Sequence, residues 1–138
     1  MATPQENTEI LKTAIASWHA CKGGDYGCWL DVTSEDMVLR SLAQGEHGLD
    51  FTRKAQTRDD FLRYMDGLTS SHEMNFYRAD SFVAERDMVV AIGATSWTTK
   101  ATGKVFDTPY VLVARFADKK IVELSEYYDT AQVAATLV

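Results

Sequence analysis

From Met88 to Tyr128 the chain reads as three consecutive antiparallel strands, Met88 to Thr99, Pro109 to Ala117 and Lys120 to Tyr128, joined by the turns Ala101-Thr102-Gly103-Lys104 and Ala117-Asp118-Lys119. In the middle strand Tyr110, Leu112, Ala114 and Phe116 share one face, while Val111 and Val113 keep the reverse face apolar as far as Arg115. A sheet that is apolar on both sides has to be covered on both sides. In the last strand Val122 and Leu124 alternate with Glu123 and Ser125, so the two-residue period carries Glu126 and Tyr128 onto the apolar side. That sets a carboxylate against a core.

With 138 residues, 46% of them hydrophobic, the chain suits one compact domain over residues 1–138 and leaves little room for a second. A net charge of −6, with no run of Lys or Arg interleaved with aromatics, argues against a nucleic-acid partner. No apolar stretch approaches the ~20 residues that span a bilayer, and Met1-Ala2-Thr3-Pro4-Gln5-Glu6 lacks a basic region followed by an apolar one. No membrane partner and a cytoplasmic location are therefore expected. Cys21 and Cys28 are too few for a disulfide framework, and His19, His47 and His72 show no ligand spacing, so no metal is expected and both thiols read as reduced and buried.

The N-terminal half is helical. Thr3-Pro4-Gln5-Glu6 offers a capping box with proline at the first helical position, followed by the stripe Leu11, Ala14, Ile15, Trp18 and a stop at Gly23-Gly24. Asp25 caps a short second helix with Tyr26, Trp29 and Leu30, and Glu35 to Leu42 reads as a strand with Met37, Leu39 and Ser41 on one side. The Gly-rich, charged segment Ala43 to Gln56 is expected to bridge over a pocket mouth, with a short strand around Leu49-Asp50-Phe51. Thr57 caps a third helix carrying Phe61, Leu62, Tyr64, Met65 and Leu68 and ending at Thr69-Ser70-Ser71. A long strand from Glu73 to Glu85 then turns at Glu85-Arg86-Asp87 into the three strands above, and the tail Ala131 to Val138 reads as helical. Helices segregate onto one sheet face, an α+β arrangement. The reverse face, with Val90, Ile92, Ala94, Val111 and Val113, needs a second partner, most simply an identical chain.

With this order, Trp18 through Asp31, the helix Arg58 to Leu68, and Gly103-Lys104 through Lys120-Ile121-Val122 and the closing Glu126-Tyr127-Tyr128-Asp129-Thr130 resemble a SnoaL-like domain. This is the ketosteroid-isomerase-like branch of the nuclear-transport-factor-two-like superfamily. The resemblance implies a cone-shaped α+β barrel, a curved, mostly antiparallel sheet wrapped around three N-terminal helices. It also implies homodimers and an apolar pocket that hosts isomerases, cyclases, epoxide hydrolases, dehydratases and non-catalytic binders. Fold alone does not choose among these.

Position by position, the chain departs from the characterised enzymes. Ketosteroid isomerases place two aspartates where this chain has Ser41 and Leu112, and a helix tyrosine where it has Ser17 and Trp18. A hydroxyl is no base near neutral pH without an activator, and leucine donates nothing. Limonene-epoxide-hydrolase-like enzymes match at Glu126, but their partner Arg and Asp are absent from Met88 to Val90. What remains is a pocket. On the alignment, Val89, Ala91, Gly93, Thr95 and Trp97 turn inward, and small side chains at Ala91 and Gly93 are expected to leave open volume. Trp18, Tyr64, Trp97, Tyr110 and Tyr128 ring it with Leu112, and Glu126, Ser41, Thr95 and the phenols serve as polar anchors.

Two readings of Glu126 stand side by side: a desolvated acid able to move a proton, or a strand-end carboxylate held by Tyr64 or Tyr110 or reaching solvent. Trp18 and Trp97 are equally read as core packing, Arg40 and Arg78 as solvated strand residues, His19 as a rim residue, and Asp129 as a cap for the tail helix. Asp80 has Arg78 and Arg40 as candidate partners. The expected function is binding of an apolar, cyclic metabolite, with cofactor-free acid–base chemistry through Glu126 where the protein is catalytic. The alternative is a non-catalytic ligand-binding or protein-interaction module.

Overall fold

The computed structural model describes residues 2–138. Helix α1 (Pro4–Ala20) opens with the expected capping box: the Thr3 hydroxyl accepts from the Glu6 N–H and the Glu6 carboxylate accepts from the Thr3 N–H. Leu11, Ala14, Ile15 and Trp18 are buried along its stripe, and the chain leaves the helix through Gly23 at a φ of 76°. Asp25 accepts the Gly27 N–H at 2.8 Å just ahead of α2 (Gly27–Leu30), one residue before the N-cap position, Tyr26. In α3 (Arg58–Ser71) the Thr57 hydroxyl accepts the Asp60 N–H, and Phe61, Tyr64 and Met65 are buried. The Asp129 carboxylate accepts the Ala131 and Gln132 N–H groups at the start of α4 (Thr130–Ala135), so its role is that of a cap.

Five strands form one mixed sheet: β1 (Thr33–Ser41), β2 (His72–Glu85), β3 (Met88–Thr99), β4 (Val105–Ala117) and β5 (Lys120–Tyr128). Their order is β1-β5-β4-β3-β2, with β1 parallel to β5 and every other pair antiparallel. The sheet does not close. Helix α1 lies on β2 and β3 and α3 crosses from β1 to β2, which gives the α+β cone. Among the described residues no helix is long and apolar enough to cross a membrane.

Bulges bend the strands and reset their parity. In β2 Asn75 and Asp80 are extra residues against β3, so the inward positions run His72 and Met74, then Tyr77 and Ala79, then Phe82 and Ala84. In β5 Val122 is the extra residue, because Arg115 pairs with Glu123 and Phe116 with Ile121. Hence Ile121, fully buried, faces the core where alternation alone assigned Val122, and the inward set resumes at Leu124, Glu126 and Tyr128. Strand β4 begins four residues earlier than expected, at Val105. Pro109 is tolerated inside it because it sits just past the last β4–β5 pair, Tyr110 with Tyr128, where one edge of β4 has no strand to pair.

Two further expectations are corrected. Leu49-Asp50-Phe51 is not a strand; Asp50–Thr52 is a 3₁₀ turn closed by the Thr52 hydroxyl, which donates to the Leu49 carbonyl at 2.6 Å and accepts the Gly45 N–H. Gly93 does not leave open volume. A Cβ there would stand 1.8 Å from the Arg78 carbonyl oxygen and 2.8 Å from the Ala79 Cα, so glycine is what lets β2 pass beside its bulge.

Candidate functional site

The inward rows of β3, β4 and β5, the buried side of α3 and the segment between β1 and α3 enclose a cavity of about 90 Å³. Its wall is mostly aromatic and includes all three tryptophans of the chain, Trp18, Trp29 and Trp97. Leu49, Phe51 and Thr52 line it from the loop between β1 and α3. Trp18 meets Trp29 edge-on at 6.4 Å, and the Tyr77 and Tyr110 rings lie 4.6 Å apart.

At one end sits a carboxyl. Glu126 follows from β5 parity; it is half-buried and is one of the residues that line the cavity. The Tyr64 hydroxyl, brought over by α3, donates to its Oε1 at 2.5 Å. Burial raises the Glu126 pKa above the ordinary carboxylate value, while the Tyr64 and Ser41 hydroxyls pull in the opposite direction. Tyr64 itself is driven well above its ordinary value, first by burial and then by the Glu126 charge, so it remains a phenol and a donor. Beside them Ser41 and Tyr128 share a 2.6 Å hydrogen bond, and the Tyr128 hydroxyl also accepts the Ala43 N–H. Burial, together with Glu126, pushes Tyr128 up to about 12. The arrangement is a neutralisable acid with a fixed phenolic donor, facing apolar rings.

The structure brings most of the expected pocket residues together. Trp18, Tyr64, Thr95, Trp97, Tyr110, Leu112, Glu126 and Tyr128 line the cavity. Ser41 stands behind the wall and acts through Tyr128, and Gly93 packs against β2 backbone. Thr95 is committed inside the protein, donating to the Phe76 carbonyl and accepting from the Trp97 indole N–H. The Tyr110 hydroxyl, by contrast, is buried with no hydrogen-bond partner among the described residues.

Several wall residues were not legible beforehand. The bulge at Asn75 hides Tyr77 from strand alternation, Phe51 lies in a turn, and His72 opens β2 with no spacing signal of its own. The His72 Nε2 is also buried and unpartnered among the described residues. Other expectations resolve as structural. Arg40 is exposed and Arg78 pairs with Asp80 at 2.7 Å. His19 accepts the Tyr77 N–H at 3.1 Å, just past the Asn75 bulge. Both thiols are free and only half-buried. Cys28 is pushed up to about 11 by burial and by Cys21. Among the described residues no three His, Cys, Asp or Glu side chains converge as a metal site would require.

Comparison with known proteins agrees with this architecture. The chain aligns over 93% or more of its length with NTF2-like and related proteins of known structure. An NTF2-like protein from Burkholderia thailandensis superposes with a TM-score of 0.81 at 23% identity, covering 100% of this chain and 99% of the other. AclR from Streptomyces galilaeus, a hydroxylase candidate, superposes at 0.73 with 19% identity, covering 98% and 97%. TerC, co-crystallised with polyporic acid, superposes at 0.79 with 15% identity, covering 96% and 98%. No functionally curated protein matches the chain. The SnoaL-like domain model matches residues 14–124, which includes β1 to β4 and β5 as far as Leu124, and the chain belongs to the SnoaL-like domain family.

Proposed function

We propose that the cavity takes a flat, apolar, cyclic metabolite and that Glu126 exchanges a proton with it without a cofactor. The observation that carries this reading is the Tyr64–Glu126 pair: a carboxyl with a raised pKa, held by one short hydrogen bond at the end of an aromatic cavity. The unpaired Tyr110 hydroxyl adds a donor for a polar atom on the ring. TerC, of the same fold, is seen with polyporic acid. The cavity of about 90 Å³ is smaller than the ~150 Å³ void that admits benzene. Even a one-ring ligand therefore needs the wall to yield, and the Phe51 turn is the loop part of that wall. Native mass spectrometry of the purified chain identifies a co-purifying molecule, and quenching of the three cavity tryptophans follows its rebinding. On a panel of ring ketones and epoxides, turnover shows a carboxyl-like limb in its pH–rate profile that disappears in Glu126→Gln. Retention of that limb in the variant overturns the role of Glu126.

We also propose that the outer sheet face packs against a second copy of the chain. Two cross-strand rows support this: Val83, Val90 and Val113, and beside them Ile92, Val111 and Tyr127. Val83 is 60% exposed, Tyr127 47% and Ile92 42%.

A further inference from the structure

His72 opens β2, and its ring, 2% exposed, stands in the cavity wall. The Phe51 ring lies between it and the Glu126 end, 6.0 Å from the His72 ring and 5.8 Å from that of Tyr64. Phe106 meets the imidazole edge-on at 5.8 Å. Phe51 is thus an apolar neighbour shared by the two polar ends of the cavity.

The tautomer of His72 follows from a proton count. Ser71 Oγ lies 2.6 Å from the Gly67 carbonyl, which only accepts, so the single hydroxyl proton of Ser71 is donated there. The same oxygen lies 2.8 Å from His72 Nδ1, and it must accept, so Nδ1 carries the hydrogen. Burial, with the Lys100 ammonium adding to it, holds the imidazole below its ordinary pKa, so the ring is neutral at pH 7. Nε2 is left as a bare lone pair, buried, without a hydrogen-bond partner among the described residues. Buried acceptors are normally paired, so this lone pair is open to a donor from outside the chain.

We propose that His72 is the second polar anchor of the cavity, its Nε2 accepting a hydrogen bond from a hydroxyl on the end of the ligand remote from Glu126. The ligand class is therefore narrowed to flat ring systems that carry a polar group at each end, the one at His72 a hydrogen-bond donor. Ser71 is a positioning residue, fixing the tautomer. This inference rests on the cavity being the ligand site, and the test separates the two.

Calorimetric titration of the full chain with 2-naphthol measures the cavity reading alone; titration with 2,6-dihydroxynaphthalene adds the second hydroxyl. The diol is expected to bind about tenfold more tightly than the naphthol. In His72→Phe that advantage of the diol over the naphthol shrinks to within twofold. In the wild-type protein, which makes the result independent of whether the variant folds, the nitrogen resonance of His72 Nε2 moves upfield with the diol and stays put with 2-naphthol. Equal affinities with an unmoved Nε2 resonance, or an advantage that survives in His72→Phe, overturn the anchor and leave the cavity reading intact. If neither compound binds, both readings fall.

Discussion

At the scale of the residue, the consequence of burying Glu126 is a dependence of stability on pH with a definite sign. Its pKa is raised in the folded protein, so in the window between the ordinary carboxyl value and the raised one the folded state holds a proton that the unfolded chain has released. Stability therefore falls as pH rises through that window and is fully present below it. Glu126→Gln keeps an acceptor for the Tyr64 hydroxyl but cannot ionise, so it removes this slope. Thermal melts are expected to place the variant about 3–5 °C above the wild type at pH 8, with the gap closing at pH 4. Parallel pH curves for the two proteins would mean that the carboxylate reaches water. Tyr64→Phe acts in the opposite sense. It deletes the hydrogen bond that draws the Glu126 pKa down, so the carboxyl titrates at still higher pH, which carbon NMR of the labelled side chain reads directly.

At the scale of the element, the bulges of β2 and β5 decide which side chains meet. Gly93 is the residue on which the β2 bulge leans most closely, and Gly93→Ala would drive a methyl group into the Arg78 carbonyl and the Ala79 Cα, both backbone. Backbone cannot rotate away as a side chain does. The substitution is expected to cost ~2–4 kcal/mol in urea unfolding; a loss under ~0.5 kcal/mol would show that the strands have room to part. The same bulges explain what the sequence reveals and what it hides. Caps at Thr3, Thr57 and Asp129, the stripe of α1 and the inward set Val89, Ala91, Gly93, Thr95 and Trp97 are local signals, written in spacing and hydrogen-bonding side chains, and they are legible. An extra residue at Asn75, Asp80 or Val122 carries no such signal, since it depends on the neighbouring strand. Alternation thus brings Glu126 inward correctly from Leu124 onward, yet misplaces Val122 and misses Tyr77. The open volume expected at Gly93 fails for a related reason: a small residue reads alike whether it makes room for a ligand or for another strand.

At the scale of the whole molecule, one sheet face is filled by α1, α3 and the cavity wall, and the other is covered by no helix among the described residues. The rows Val83-Val90-Val113 and Ile92-Val111-Tyr127 lie side by side on β2 to β5, so their apolar surface is contiguous. Beyond it, Arg115 bridges Asp87 and Glu123 at one margin and Arg78 pairs with Asp80 at another, leaving a greasy centre inside a charged rim. A face of this kind, apolar at the middle and balanced in charge at the edge, is self-complementary under a two-fold axis, which brings like surface onto like. Ile92→Asp and Val111→Asp each place a carboxylate at that centre. Both side chains point away from the core, so the protomer stays folded, and the cost falls on association, where two copies of the new charge are desolvated together. Sedimentation analysis is expected to show the wild type at twice the mass of one 15.4 kDa chain and either variant at the mass of a single chain, with near-wild-type thermal unfolding of the variants at low concentration. A wild-type chain that sediments as a monomer, or variants that remain paired, would assign this sheet face to some other cover.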